Sequence, residues 1–278
     1  MYEHFSAYHR VFVSDANGVR MLKFERNRQS SMSLADPFET DIEYVGYFHL
    51  ALAFKRDITR VLVIGLGGGT IVKRMWRDYP WMRIDAVEID PEIVEIAYEL
   101  FALPRDERIR VFVGDGRDFL AESAEEYDLV IVDAFDDDRV PQRLLTEEFM
   151  RIAHDHLAAD GVLAYNFIGA LYGPRSKPFR SLHRTAGNVW RGLTVFAVGL
   201  GDDIADTTRN LILFATERRF PHDELFDLIE NRVGGLVSVP HFEHFADDLY
   251  QGAIRRGDVP LIIDGPLPTR RHTHHRRR

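Results

Sequence analysis

The stretch Val61-Leu-Val-Ile-Gly-Leu-Gly-Gly-Gly-Thr70 decides the fold of this chain. Four apolar residues that suit a buried strand run directly into a glycine-rich turn, and a segment with helical spacing follows. Glycines at such a turn let the backbone bend sharply and approach a ligand, while the next helix presents the N–H groups of its first turn. The motif predicts a Rossmann-like nucleotide-binding unit, although a Gly-x-Gly turn alone is a weak signal.

After Arg60 the chain alternates short apolar runs with amphipathic segments, which predicts a parallel sheet covered by helices on both faces. Val61 to Ile64 is the first strand of this sheet. Six further strands are expected at 83–88, 109–113, 129–133, 161–167, 193–198 and 211–216. The fold class predicted from this pattern is α/β, with a Rossmann-like seven-stranded sheet.

Acidic residues stand where the next three predicted strands end. Glu88 lies 23 residues after Gly65, Asp115 precedes Gly116, and Asp133 ends the fourth strand. A carboxylate at the position of Glu88 is suited to accept the two hydroxyls of a ribose. In an open α/β sheet the carboxyl ends of the strands form the ligand crevice, so these residues should converge there. The pattern favours an adenosine-containing ligand over a merely structural turn.

Three regions are expected along the chain. Residues 1–36 read as a β-hairpin region, because short apolar segments are separated by turn residues such as Asp15-Ala-Asn-Gly18. Residues 37–265 are predicted to form the nucleoside-binding catalytic domain, which a helix over Thr40 to Phe54 would open. The basic Arg/His stretch at 266–278 is expected to be a disordered tail.

The composition excludes several classes of function. The chain has 278 residues and no cysteine, so disulfides, thiolate metal sites and a cysteine nucleophile are ruled out. A formal charge of −9 argues against nucleic acid as the main partner and suits a cationic small substrate. No metal site is predicted. No apolar run approaches the length of about 18 residues that spans a bilayer, and no signal-peptide pattern is seen, so a cytoplasmic protein without membrane contact is expected.

Five blocks of sequence together resemble the spermidine synthase family of polyamine aminopropyltransferases, over about residues 20 to 170. The blocks are Val61 to Gly69, Val87-Glu-Ile-Asp-Pro91, Val113-Gly-Asp-Gly116, Tyr127-Asp-Leu-Val-Ile-Val-Asp133 and Leu145-Thr-Glu-Glu-Phe149. Some of them also occur in looser form in S-adenosylmethionine-dependent methyltransferases. The resemblance therefore implies a methyltransferase-type sheet, and the last two blocks are more particular to the aminopropyltransferases.

The resemblance implies a reaction and a set of site residues. Decarboxylated S-adenosylmethionine would donate an aminopropyl group to a polyamine-type amine, and 5'-methylthioadenosine would leave. Asp133 and Asp136 are then the predicted catalytic residues. The predicted donor-binding residues are Gln29, Gly65, Gly67, Gly68, Glu88, Asp115 and Gly116. The donor is a co-substrate, so no permanently bound cofactor is expected, and family members usually form dimers or tetramers.

The chain departs from the family pattern on the side of the amine. Gly68 stands where the family has an aspartate that contacts the aminopropyl end of the donor, and Glu43-Tyr44-Val45 replaces a Tyr-His-Glu segment. Asn166 and Ile168 align with a glutamine and a glutamate that contact the acceptor. The nucleoside half of the predicted site is kept, whereas groups that recognise a charged chain are lost.

Three alternatives to aminopropyl transfer stay open. Without an acid at position 68, the site would repel a carboxylated donor less. This favours an S-adenosylmethionine-dependent methyltransferase of the same fold. A catalytically inactive nucleoside-binding homologue is the second alternative. A nicotinamide dehydrogenase is the weakest, because Asp115 and Asp133 have no role in it. Retention of Asp133 and Asp136 favours aminopropyl transfer.

Overall fold

A computed structural model of the chain describes residues 2–25, 27–136, 139–200, 207–233 and 236–265. The strands of the described residues fall into two sheets. They are β1 (Tyr2–Phe5), β2 (Arg10–Ala16), β3 (Val19–Phe24), β4 (Asn27–Ser33), β5 (Arg60–Ile64), β6 (Arg83–Glu88), β7 (Ile109–Val113), β8 (Tyr127–Val132), β9 (Leu157–Gly169), β10 (Gly192–Ala197) and β11 (Arg209–Thr216).

The larger sheet has seven strands in the spatial order β10-β11-β9-β8-β5-β6-β7. Strands β9, β8, β5, β6 and β7 are parallel neighbours, whereas β11 and β10 add to the β9 edge in antiparallel fashion. Along β5, Val61 and Val63 face one apolar core while Leu62 and Ile64 face the other, as expected for a strand covered on both sides. The predicted α/β fold is thereby confirmed.

Helices connect these strands and cover the sheet. Side-chain caps precede α3, where Asp90 accepts the N–H of Glu92, and α5, where Thr146 accepts the N–H of Phe149. The helices are α1 (Ala51–Phe54), α2 (Thr70–Asp78), α3 (Pro91–Glu99), α4 (Gly116–Glu122), α5 (Glu147–Asp155), α6 (Lys177–Ala186) and α7 (His222–Leu228). Segments of 3₁₀ helix span Glu43–Leu50, Gln142–Leu144, Pro174–Ser176 and Phe242–Asp248, and a π-helical turn spans Ile229–Val233.

The segment predicted as one helix from Thr40 to Phe54 is mostly a 3₁₀ helix over Glu43–Leu50, and only Ala51–Phe54 is α-helical. Every side chain from Val45 to Leu50 is buried, so the segment has no solvent-facing stripe. Tertiary packing on all sides, rather than an amphipathic period, therefore sets its conformation.

The smaller sheet is antiparallel with the order β1-β2-β3-β4. Val11, Val13 and Leu22 from this sheet pack against Ile93 and Ile96 of α3 in a common apolar cluster. Strand β1 was not expected, because all four of its residues are exposed and carry no apolar alternation. The boundary between regions at residue 36 stays a prediction.

A buried lysine on α2 ties the connecting segment to the helix that follows the glycine-rich turn. Lys73 Nζ donates to the carbonyl oxygens of Pro37, 2.8 Å away, and of Phe101, 2.7 Å away. Burial lowers the pKa of Lys73 to about 8. Arg74, one residue on, pairs with Glu39 at 2.7 Å. These contacts fix the segment between the two sheets against the helix that follows the turn.

The C-terminal part of the described chain returns to the large sheet. Leu249 forms a bridge with Phe196 at the edge strand β10, and the Glu147 N–H donates to the Ile262 carbonyl at 2.8 Å. The predicted disordered tail at 266–278 lies outside the described residues. Among the residues that the structure describes, no helix is long and apolar enough to cross a membrane.

Candidate active site

A cavity of about 730 Å³ opens at the carboxyl edge of the parallel strands, between the large sheet and the N-terminal sheet. Its size suits a nucleoside together with a small second substrate. The predicted residues that line it are Gln29, Gly65, Gly67, Glu88, Asp115, Gly116, Asp133 and Asp136. Gly68 is not among the lining residues. The structure therefore brings together residues from β4 and from the ends of four strands of the large sheet.

Gly65 allows two strands to approach each other at the base of the cavity. Its φ of +96° lies in the region that L side chains rarely adopt. A Cβ at this position would overlap the carbonyl oxygen of Asp133, and the Gly65 N–H donates to the Val87 carbonyl at 2.9 Å. Glycine at 65 is thus required both for the turn and for the close contact with the segment that carries Asp133.

Gly68 faces protein rather than the cavity. Its N–H donates to Ser30 Oγ at 2.8 Å, and a Cβ would lie 2.7 Å from Cδ1 of Phe101. An aspartate here would have to displace the Phe101 ring or shift the turn. The loss of the family's acid therefore coincides with packing that leaves no room for it in this conformation.

Glu88 is held at the end of β6 by backbone N–H groups. Its Oε2 accepts the N–H of Leu66 at 2.9 Å, and its Oε1 accepts the N–H of Asp90 at 3.1 Å. Burial raises the pKa of Glu88, and the backbone hydrogen bonds oppose that shift. The carboxylate is thus fixed against the glycine turn while it lines the cavity.

Asp115 has a structural role that is visible directly. Its Oδ1 accepts the N–H groups of Arg117 and Asp118 and so caps α4, while its Oδ2 accepts from Arg143 Nη1 at 2.7 Å. At the next residue, a Cβ on Gly116 would overlap Cγ2 of Ile64. Asp115 and Gly116 thus form a close-packed corner of the cavity, and their contact with adenine stays a prediction.

Asp133, which follows β8, has a carboxyl group with a clearly raised pKa. Tyr44 Oη donates to its Oδ2 at 3.1 Å, and Asn166 Nδ2 donates to its Oδ1 at 2.8 Å. Asn210 Nδ2 in turn donates to Oδ1 of Asn166 at 3.0 Å, which orients that amide. Burial raises the pKa of Asp133 to about 6, although both hydrogen bonds oppose the shift. The arrangement can hold a carboxyl group that gains and loses a proton near neutral pH.

Asp136, which follows β8, and Gln29 on β4 also line the cavity. The backbone of Asp136 pairs with that of Arg139, so its N–H donates to the Arg139 carbonyl at 2.7 Å. Gln29 lines the cavity from β4. Asp137 and Asp138 lie outside the described residues.

Sequence reasoning did not propose Tyr44, Asn166 or Asn210 as site residues. Two signals pointed to Asn166: its alignment with a family glutamine, and its place as an amide within a buried stretch of β9, where a polar side chain requires a partner. Tyr44 stands within the segment that replaces the family's Tyr-His-Glu, and the sequence shows it only as a departure from the family pattern. Within the described parts of the chain, no cluster of three or more His, Cys, Asp or Glu side chains has metal-binding geometry.

Residues 45–166 match the family model described as the Spermine/spermidine synthase domain. A polyamine aminopropyltransferase of Vibrio vulnificus (strain CMCP6) is 31% identical over 193 residues, which cover 66% of this chain and 64% of the relative. The chain spans less than two thirds of the length of this and other curated relatives that it matches.

Two solved structures share the fold. A probable spermidine synthase from Corynebacterium glutamicum ATCC 13032 has a TM-score of 0.75 at 20% identity, covering 96% of this chain and 97% of that chain. Human methyltransferase-like protein 13, solved in complex with SAH, has a TM-score of 0.57 at 24% identity, covering 71% of this chain and 91% of that chain. At such identities the likeness concerns the fold.

Proposed function

We propose that the chain is a member of the spermine/spermidine synthase family, whose domain model residues 45–166 match, and that it transfers an aminopropyl group from decarboxylated S-adenosylmethionine to a polyamine-type amine. The transfer releases 5'-methylthioadenosine. The observation that carries the proposal is the partly buried carboxyl group of Asp133, which stands in one cavity with Glu88 and the glycine turn. A base near the nucleoside pocket is what amine alkylation requires and what simple nucleoside binding does not.

In this proposal the nucleoside of the donor lies against the ends of β5, β6 and β7. Glu88 accepts hydrogen bonds from the ribose hydroxyls, while Asp115 and Gly116 contact the adenine. Gln29, on β4, lies close to the sulfonium. The glycines at 65 and 67 let the backbone approach the donor, and Gly68 supports the turn by its hydrogen bond to Ser30.

The chemical step is a displacement at the carbon next to the sulfonium. The nitrogen lone pair of the acceptor forms the new C–N bond, the C–S bond breaks, and its electrons stay on the sulfur of methylthioadenosine. The acceptor arrives as an ammonium and must lose a proton before its nitrogen can attack. Asp133 takes that proton and later releases it to solvent, while Asp136 attracts the cationic amine.

The raised pKa of Asp133 makes this proton transfer less unfavourable. An ordinary aspartate and an aliphatic ammonium differ by about six pKa units. With the pKa of Asp133 at about 6, the gap to an amine at about 10 falls to about four units. Tyr44 and Asn166 each donate to one carboxylate oxygen and so orient the base. Burial thus supplies part of the activation that the amine needs.

The pH profile of turnover should report Asp133. We expect kcat/KM for the amine to rise with pH through a midpoint near 6, because only the ionised carboxylate accepts a proton. It should then stay level until the acceptor loses its own proton at about pH 10. Initial rates of methylthioadenosine release between pH 5 and 10 measure this. A flat profile across pH 5 to 7 would contradict the role of Asp133.

Substitution of Glu88 by Gln should weaken binding of methylthioadenosine by roughly tenfold, as expected when one charge-assisted hydrogen bond is lost. Calorimetric titration measures this, with Glu95→Gln on the exposed face of α3 as the control. Equal affinity in the Glu88 variant, the control and the unmodified protein would remove Glu88 from the proposed ribose site.

A second candidate is methyl transfer from S-adenosylmethionine. The observation that favours it is the packing of Phe101 and Ser30 around Gly68. Glycine stands here in place of an acid that would repel a carboxylated donor. Parallel calorimetric titrations with decarboxylated S-adenosylmethionine, S-adenosylmethionine and methylthioadenosine separate the candidates. Aminopropyl transfer requires the decarboxylated donor to bind more tightly than the carboxylated one. The reverse order supports methyl transfer, and binding of none removes the nucleoside assignment.

Further parts of the proposal concern the protein's surroundings. We expect a homo-oligomer, either a dimer or a tetramer, working in the cytoplasm without a resident cofactor or metal. Sedimentation of the purified protein tests the oligomeric state, and a monomer at all concentrations would contradict it.

A further inference from the structure

A second cavity of about 520 Å³ lies at the opposite edge of the large sheet from the candidate active site. Its walls come from the turn after α6 (residues 187–190), the start of β10, the residues after β11 and the segment near Arg256. Gly192, at the start of β10, pairs with Thr216 at the end of β11, whereas Asn210 near the active site is at the start of β11. The two cavities are therefore separated by the length of a strand.

Three arginines line this second cavity: Arg191, Arg219 and Arg256. Among the residues that the structure describes, no carboxylate oxygen lies within the 4.0 Å ion-pair distance of their guanidinium groups. Neighbouring arginines differ, since Arg180 pairs with Asp258 at 2.7 Å and Arg218 pairs with Glu224 at 2.5 Å. Three cations with no counter-charge among the described residues are unexpected in a chain with a net charge of −9.

Two of these guanidinium groups are held in place by the protein through Nε. Arg256 Nε donates to Nδ1 of His183 at 3.0 Å, and His183 is buried. Arg219 Nε donates to the carbonyl oxygen of Arg191 at 2.9 Å. Each anchored guanidinium keeps its two terminal nitrogens for other acceptors, which is the fork that binds oxyanions in bidentate fashion.

The positive charge of Arg219 acts on Arg256. The pKa of Arg256 is lowered, first by burial and then by the positive charge of Arg219. The pKa of His183 is lowered to about 3 by burial and by the charge of Arg256, so His183 is neutral and accepts the Nε hydrogen bond. An anion between the arginines would relieve the repulsion that the fold otherwise carries.

We propose that this cavity binds the phosphate group of a small organic phosphate. A doubly charged phosphate offers enough oxygens for two or three guanidinium forks, whereas a single carboxylate offers only two. The cavity also has apolar walls, formed by Val189, Leu193 and Phe220, which suit the organic part of such a ligand. The proposal is independent of aminopropyl transfer, because none of these residues lines the first cavity.

Calorimetric titration of the full chain with glycerol 3-phosphate, and separately with inorganic phosphate, tests this proposal. We expect saturable binding of one molecule per chain, with affinity that falls as sodium chloride is added. Arg219→Gln and Arg256→Gln should each weaken binding at least about tenfold. Tighter binding of glycerol 3-phosphate than of phosphate would identify an organic phosphate as the ligand, and equal affinities would identify the free ion.

Each of two control variants replaces one arginine that does not line the second cavity. Arg105, which is exposed and pairs with Glu99, should leave binding unchanged when it is replaced by Gln. Arg143→Gln tests whether the anion enters the first cavity, which Arg143 lines. The proposal is overturned by no saturable binding up to about 10 mM ligand, by affinities equal in all variants, or by a loss confined to Arg143→Gln.

Discussion

Replacement of Asp133 by Asn should lower the rate of methylthioadenosine release by about a thousandfold, because the variant has no base to accept the proton of the amine. Nucleoside binding should survive, since the proposed ribose and adenine contacts belong to other residues. The asparagine can keep the local hydrogen bonds if its oxygen accepts from Asn166 and its amide donates to Tyr44. Product formation and methylthioadenosine affinity, measured on the same sample, check both parts.

The stability of this variant separates loss of chemistry from loss of structure. The folded-state pKa of Asp133 is raised from 3.8 to about 6, so the folded protein holds the proton more tightly than the unfolded chain. The contribution of Asp133 to stability therefore falls as pH rises from about 4 to about 6, by at most about 3 kcal/mol. Asp133→Asn should thus unfold at pH 8 with a free energy no lower than that of the unmodified protein.

The control for Asp133→Asn is Glu122→Gln on the exposed end of α4, which also removes one negative charge. It should retain full activity. An Asp133 variant that loses less than about tenfold in rate would contradict the role of Asp133 as the base.

Substitution of Gly65 by Ala should destabilise the fold by about 2 to 5 kcal/mol and abolish nucleoside binding. The φ of +96° is strained for alanine, and the added Cβ would overlap the backbone oxygen of Asp133. The position of the added Cβ is set by the backbone of residue 65, and the atom it meets is a backbone oxygen. A side-chain rotation therefore cannot relieve the clash. Any relaxation must move β5 away from the segment that carries Asp133. Urea unfolding and calorimetric titration with methylthioadenosine measure the two effects.

Gly114→Ala is the matched control for Gly65→Ala. Gly114 lines the same cavity, but its φ is not in the left-handed region and a Cβ there would meet no atom within 4 Å. It should change the free energy of unfolding by less than about 1 kcal/mol. If both alanine variants were equally stable and bound nucleoside equally well, the requirement for glycine at position 65 would be refuted.

The sequence predicted the large sheet well because each of its strands contains a run of mostly apolar residues. The glycine turn at Gly65 and the acids that follow β6, β7 and β8 could be placed at one edge, since parallel strands bring their carboxyl ends together. These features depend on local pattern and on general rules of topology. They did not require knowledge of any particular side-chain contact.

Other parts of the candidate site depend on contacts between residues far apart in the chain. Tyr44 reaches Asp133 across 89 residues, and the direction of its side chain follows from packing that no periodicity reveals. The packing around Gly68 also depends on residues far away in the chain. Only the structure shows Phe101 and Ser30 on the side where a Cβ would point. The 3₁₀ helix at Glu43–Leu50 was missed because burial on all sides overrides the helical pattern.

The most direct test of aminopropyl transfer is mass analysis of the products formed when the purified protein is given both donors and a panel of diamines and polyamines. We expect 5'-methylthioadenosine and an aminopropylated amine from decarboxylated S-adenosylmethionine, and no product from the carboxylated donor. Formation of S-adenosylhomocysteine with a methylated product, or no turnover of either donor, would contradict the proposed function.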